Sequence, residues 1–226
     1  MKLCIVIPAY NEKKMIGKTL DALPKKLSPF KEIIIIVVDD GSQDETYKIA
    51  KKRKVIVLKH ILNRGLGAAL KTGFDYAKKQ NADIVVTFDA DGQHHHTDLL
   101  KVIKPIMNNS ADIVIGSRFR DKTKIPKSRK IINFAGNVAT LMLFGVWTTD
   151  SQSGLRALSK KSLNTINLKG QRMEVSSEFF KEIKTNKLKF KEVPIKTIYT
   201  NYSISKGQPL SNSLNILTKI TFLLFR

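Results

Sequence analysis

The sequence predicts an α/β fold: a doubly wound, mainly parallel sheet followed by a C-terminal amphipathic helix. Three observations predict it. Short, β-branched, nearly continuous apolar runs occupy residues 3–7, 32–38, 55–59, 83–88 and 112–116, the pattern of strands buried on both faces of a parallel sheet. Helical patterns at residues 14–23, 44–52, 67–80 and 97–108 separate them, so strands and helices alternate. Every run ends in a polar cluster, and ligands of doubly wound sheets bind beyond the carboxyl ends of the strands.

The elements follow in order. Asp44 and Thr97 stand where two of the helices need N-caps. Beyond residue 116 the pattern loosens. Residues 121–129 read as a basic loop containing Pro126, and residues 131–147 as an apolar helix. Residues 150–159 read as a polar, glycine-containing stretch, with a short helix from Lys160 and another helix over residues 173–184. Residues 189–193 and 196–199 read as a strand broken by Pro194. The absence of repeats and linkers predicts one domain over residues 1–210 and an amphipathic helix over residues 211–226.

A chain of 226 residues supports one domain with a substantial core. Its formal net charge of +21 calls for an anionic partner. The single cysteine, Cys4, forms no intramolecular disulfide and lies within the first strand, as an inert thiol. The apolar run at residues 3–7 is strand-length and reads as no signal peptide; no apolar stretch reaches the ~20 residues that span a bilayer.

Asp89-Ala90-Asp91-Gly92-Gln93 follows the fourth run. Strand residues two apart point the same way, and two carboxylates held that close repel unless a cation neutralises them. Oxygen ligands suit a hard ion, Mg²⁺ or Mn²⁺, which normally brings a phosphate. The triplet His94-His95-His96 lacks zinc spacing and reads as a polar loop.

The other strand ends are Pro8-Ala9-Tyr10-Asn11-Glu12, Asp39-Asp40-Gly41-Ser42-Gln43-Asp44-Glu45-Thr46, Asn63-Arg64-Gly65-Leu66-Gly67-Ala68 and Gly116-Ser117-Arg118. Further on come Asp150-Ser151-Gln152-Ser153-Gly154-Leu155-Arg156-Ala157 and Ser205-Lys206-Gly207-Gln208. In this order, over nearly the whole chain, they resemble the family 2 inverting glycosyltransferases of the GT-A fold. Within that family the resemblance is to polyprenyl-phosphate glycosyltransferases of the dolichyl-phosphate mannose synthase type. It implies that Pro8, Tyr10, Glu12, Val38 and Asp40 line a nucleoside pocket, and that Asp89 and Ala90 face the ribose and diphosphate. It implies Asp91 and Gln93 as metal ligands for Mg²⁺ or Mn²⁺. Arg118, helped by Arg129 or Lys130, would meet the acceptor phosphate, and Lys206 would close over the donor diphosphate. Asp150 and Gln152 could bind sugar hydroxyls or the acceptor, and Glu178 could touch the sugar. The sequence departs from the mannose synthases at Thr200 and Asn201, where an arginine is expected, and at Asn133, where a serine or threonine is expected.

The implied donor is GDP-mannose or another nucleotide-sugar, and the implied acceptor a polyprenyl phosphate on a membrane surface. The chemistry agrees: a divalent ion and a lysine stabilise a departing diphosphate, and a phosphate acceptor, already anionic, attacks without a strong general base. The apolar residues and Lys219 and Arg226 of the last helix suit a membrane interface, predicting a peripheral protein on the cytoplasmic leaflet. A saccharide acceptor would need a general base, for which Asp150 is the one weak candidate. A nucleic-acid-binding role, suggested by the charge alone, lacks any recognised motif, and no nucleic-acid partner is expected.

Overall fold

The computed structural model describes residues 1–121, 125 and 127–198, without the side chains of residues 127–129 and 132. The last helix expected from the sequence lies outside the described residues. Seven strands form one sheet in the order β3-β2-β1-β4-β6-β5-β7. They are β1 (Lys2–Ala9), β2 (Glu32–Asp39), β3 (Ile56–Lys59), β4 (Ile84–Thr87), β5 (Ile113–Ser117), β6 (Arg156–Ser159) and β7 (Phe190–Pro194). The helices are α1 (Ile16–Ala22), α2 (Thr46–Lys51), α3 (Leu66–Lys79), α4 (Asp98–Met107), α5 (Lys127–Phe144), α6 (Lys160–Thr165) and α7 (Val175–Thr185).

The apolar runs do what their continuity requires. Cys4, Val6, Ile36, Val38 and Val85 join one core with Phe74 of α3 and Phe179 of α7. Their neighbours Leu3, Ile5, Val37, Ile84 and Val86 join a second core with Leu20 of α1 and Val102 of α4. Alternate residues thus feed opposite faces. Burial also pushes the Cys4 thiol up to about 11, with nearby Lys2 opposing, so the thiol stays protonated.

β1 is parallel to both β2 and β4. The chain therefore winds away from β1 in both directions, and a crevice opens beyond its carboxyl end. β6 corrects the sequence reading of residues 150–159 as irregular. It pairs antiparallel with both β4 and β5. Four residues that open on a buried arginine carry too little apolar signal for a strand. Because β6 runs against its neighbours, its amino end lies at their carboxyl ends. That orientation delivers residues 150–154 to the crevice.

The two cap expectations resolve differently. Asp44 stands two residues before α2 and accepts from the Thr46 backbone N–H at 2.9 Å and from its hydroxyl. These bonds, with one from the Lys13 amide, outweigh burial and hold Asp44 below the usual carboxylate range. Thr97 does occupy the N-cap of α4, but its side chain makes no cap bond. Its hydroxyl pairs with His95 Nδ1 at 2.7 Å instead.

Candidate active site

The first two strand-end loops clasp each other. Asn11 accepts from the Gln43 amide at 2.9 Å, and Ser42 Oγ accepts from the Asn11 amide at 3.0 Å. The Glu12 amide donates to Thr46 Oγ1 at 2.7 Å. Pro8 is half-buried, Tyr10 exposed and Glu12 buried beside them. Val38 is fully buried in the core. Asp40 is buried and committed to the loop after β3. Its oxygens accept from the Arg64 amide at 3.0 Å and the Gly65 amide at 2.7 Å, and one lies 2.7 Å from His60 Nδ1. His60 Nε2 in turn meets Thr72 Oγ1 at 2.9 Å. In this arrangement Val38 packs in the core, and Asp40 holds the loop after β3 in place. His60 was missed from the sequence; its signal was a polar residue directly after the third strand.

The same loop carries the amino end of α3, which lies against residues 170–171. The Ala68 amide donates to Gln171 O at 3.1 Å. A β-carbon on Gly67 would stand 1.9 Å from Gly170 O. Glu178, buried in α7, holds that opposing loop by accepting from the Lys169 and Gly170 amides, each at 2.8 Å. Its carboxylate thus braces the loop. Gly67→Ala must push the two backbones apart, and we expect a loss of about 2–4 kcal/mol in unfolding free energy, read by denaturant titration.

The carboxylate pair sits at the end of β4. Asp89 Oδ2 lies 2.9 Å from His94 Nε2. Burial opposes ionisation of Asp89, but His94, Arg118 and Arg156 hold it below the usual range. Asp91 moves the other way: burial, then Asp89 and Glu12, push it up to about 6. Gln93 orients Asp91 twice, through its backbone N–H at 3.0 Å and its Nε2 at 2.6 Å. Ala90 is buried, and its carbonyl accepts from Thr19 Oγ1 at 3.0 Å. The three histidines diverge: His94 turns inward, while His95 stacks on His96 with centroids 4.6 Å apart. Among the described residues no three His, Cys, Asp or Glu side chains form a cluster able to hold a metal ion.

Across the crevice is a basic half. Arg118 holds Asp150 in a two-pronged pair, Nε to Oδ2 at 2.7 Å and Nη2 to Oδ1 at 2.7 Å, and its amide adds a third bond at 3.0 Å. Asn133 and Asn137 both donate to Thr149 O, at 2.8 and 2.9 Å. Beside them opens a cavity of about 380 Å³ lined by Phe119, Ile125, Lys130, Asn133, Phe134 and Trp147 among others. Two of its lining residues, Phe134 and Trp147, show half or more of their surface, as do Ile131 and Met142 elsewhere on α5. The Arg129 side chain and Lys206 lie outside the described residues.

A model of the family described as Glycosyl transferase family 2 matches residues 4–173. The chain belongs to that family. It is a glycosyltransferase with the GT-A-like mixed sheet that the strand ends anticipated. A UDP-N-acetylglucosamine–dolichyl-phosphate N-acetylglucosaminyltransferase of Methanococcus voltae is 42% identical over 241 residues, covering 97% of this chain and 94% of that protein. An undecaprenyl-phosphate mannosyltransferase of Micrococcus luteus is 34% identical over 180 residues, covering 74% and 70%. Among solved structures, glucosyl-3-phosphoglycerate synthase from Mycobacterium tuberculosis, in complex with Mn²⁺, UDP and phosphoglyceric acid, superposes with a TM-score of 0.72 at 17% identity. The match covers 97% of this chain and 76% of that one.

Arg156 is a further residue of the candidate site, and sequence reasoning assigned it no role. It is buried, donates to Ser153 O at 2.8 Å and Ser151 O at 3.1 Å, and lies over the Phe179 ring at 4.4 Å. Burial lowers it to about 10, with Asp89 and Asp150 opposing. It remains charged at neutral pH and fixes the 151–153 backbone beside Asp89.

Proposed function

We propose that this glycosyltransferase moves a sugar, with inversion, from a nucleotide-sugar to the phosphate of a polyprenyl phosphate, using Mg²⁺ or Mn²⁺. The observation that carries the reading is the pairing of two unlike halves at one sheet edge. One half is acidic, built from Asp89, Asp91 and Gln93; the other is basic and apolar, built from Arg118, Lys130 and the aromatic-lined cavity. The two relatives share a polyprenyl-type phosphate acceptor in their names and differ in the sugar.

The donor set fits a hard divalent ion. Asp91 is a carboxylate pushed up by its neighbours, so a nearby cation would relieve it. Such an ion keeps one or two protein carboxylates and takes its remaining ligands from phosphate and water. When bound, it would neutralise charge on the departing diphosphate. Asp91, with Gln93 beside it, would hold the ion; Asp89 and Ala90 would face the nucleotide, and Pro8, Tyr10 and Glu12 the nucleoside, with Lys206 supplying further positive charge. Arg118, with Arg129 or Lys130, would position the acceptor phosphate.

A saccharide acceptor fits less well. Asp150, the candidate base, is fully buried and spent on Arg118. Among the described residues no helix is long and apolar enough to cross a membrane. The exposed Ile131, Phe134, Met142 and Trp147, with a net charge of +21, support peripheral attachment to an anionic cytoplasmic leaflet.

The test is an assay of a nucleotide-sugar panel with Mn²⁺ or EDTA, with polyprenyl phosphate in anionic vesicles as acceptor. Metal-dependent transfer to the lipid is expected. Transfer to free oligosaccharides in place of the lipid would reject the acceptor.

A further inference from the structure

Ile61 is 94% exposed and its neighbour Leu62 73%. They form the tip of the loop that joins β3 to α3, and neither belongs to a core. Single exposed aliphatic side chains are ordinary. An adjacent pair displayed from a fastened loop asks for an occupant.

The loop is fastened on both sides of the tip. Before it, the His60 amide donates to Asp39 O at 2.9 Å, and His60 Nδ1 lies 2.7 Å from Asp40 Oδ1. After it, the Arg64 and Gly65 amides donate to Asp40 at 3.0 and 2.7 Å. The backbone between rests on the loop after β2: a β-carbon on Gly41 would stand 2.6 Å from the Leu62 carbonyl carbon and 2.7 Å from the Asn63 nitrogen. One buried carboxylate, Asp40, thus fixes both ends, and Ile61 and Leu62 are the part that projects. A tip already ordered loses little further conformational freedom when it is covered.

The surroundings of the tip are cationic. Lys59 and Arg64 flank it and are exposed, as is Arg172, whose Cγ would stand 2.7 Å from a β-carbon on Gly65. Lys59 Nζ lies over the Tyr47 ring, 4.8 Å from its centroid. Glu45, the exposed carboxylate before Tyr47, is paired with Lys48 at 3.1 Å. An apolar tip flanked by cations matches the boundary between anionic headgroups and acyl chains. It matches a protein partner poorly, because two side chains fall far short of the roughly 800 Å² per partner that a stable protein interface buries.

The place of the tip in the fold adds a second argument. β3, β2, β1 and β4 are parallel. β6 is antiparallel to both β4 and β5, so β5 runs with them. Residues 61–62 follow the carboxyl end of β3, and α5 follows that of β5 after the short turn Arg118–Arg120. Both leave the sheet at the edge that holds the crevice. Five strand spacings separate β3 from β5, roughly 24 Å at 4.8 Å each. The exposed Phe134 and Trp147 mark one flank of the crevice, and Ile61 and Leu62 the other.

We infer that Ile61 and Leu62 enter the same anionic lipid surface as α5, so that the protein holds the membrane on both flanks of its crevice and turns the crevice mouth toward the lipid phosphate. The inference rests on the peripheral attachment proposed for this protein and adds a second point of contact to it.

The experiment uses the full chain and vesicles of phosphatidylglycerol and phosphatidylcholine, with and without brominated acyl chains. Trp147 is the single tryptophan of the chain and reports on the α5 flank. Ile61→Trp in a Trp147→Phe background reports on the tip. Blue-shifted emission and quenching by the brominated lipid are expected from both reporters. Ile61→Ser/Leu62→Ser should weaken partitioning onto the vesicles at least tenfold, because two aliphatic side chains no longer leave water. Its melting temperature should hold, since surface changes of this kind move stability little. A tip reporter that stays in water while Trp147 is quenched would overturn the inference and keep the α5 attachment. A parent chain that binds no vesicles would reject peripheral attachment itself, and the second contact with it. Binding of UDP and GDP with Mn²⁺ and the oligomeric state are measured on the same double variant. Unchanged partitioning, with nucleotide binding or a dimer lost in its place, would overturn the inference and assign the pair to the donor or to a second copy of the chain.

Discussion

Asp91→Asn is expected to give a protein that is inactive yet more stable than the parent at neutral pH. The activity loss follows from the proposed role of Asp91: a neutral amide holds a hard divalent ion far less well than a carboxylate. A fall in transfer of about 10³-fold or more matches the removal of a principal electrostatic stabiliser. The stability gain follows from the same carboxylate seen without the ion. Burial and the nearby Asp89 and Glu12 push Asp91 from 3.8 up to about 6. Between those values the native state holds a proton that the unfolded chain has released, so wild-type stability falls as pH rises. The contribution is complete below pH about 4 and lost above about 6. Removing the charge recovers at most about 3 kcal/mol. Urea titrations in EDTA at pH 4.5 and 7.5 test this. The variant's advantage should grow with pH; an advantage that is absent or shrinks would reject the electrostatic account of the pair.

The second large effect is expected at Asp150. Its carboxylate is fully buried and takes three hydrogen bonds from Arg118, whose side chain is 17% exposed. Asp150→Ala breaks the two-pronged pair of a guanidinium nearly out of water, a loss of about 3–5 kcal/mol. That lowers the melting temperature by roughly 6–20 °C for a domain of this size. Acceptor transfer should be lost as well, because Arg118 is no longer aimed. The double variant Arg118→Met/Asp150→Leu separates the two roles. Replacing both charges by apolar side chains should recover most of the stability, while transfer stays at background. Recovery of transfer in the double variant would show that Arg118 does not position the acceptor.

Much of the site was legible because the crevice is assembled from strand ends, each with a local signature. Asp89-Ala90-Asp91-Gly92-Gln93 follows a fully buried apolar run, and two carboxylates at that spacing already imply a cation. Other parts were not legible. Arg156 begins a four-residue strand, and an arginine at a strand start signals surface unless its partners are known. Here the partners are the carbonyls of Ser151 and Ser153 and the ring of Phe179. His60 carries no motif, and its connection to Asp40 spans twenty residues. Asp150 read as a possible base because nothing near it in sequence reveals that Arg118 occupies it.

Taken alone, the sequence determined the alternating elements of the first half and the chemistry of their ends. Continuous apolar runs decide burial on both strand faces, and turn-forming polar residues decide where strands stop. Both properties belong to a few consecutive residues. The tertiary structure decided which of those residues meet. It placed β6 antiparallel between β4 and β5, and that reversal turned the segment from Asp150 to Gly154 toward Asp89. It also divided the charged groups into pairs and left a small cavity between α3, α7 and the end of β4. Such features depend on contacts between residues far apart in the chain, where the energy is set by distance and desolvation, and neither quantity is written in local order.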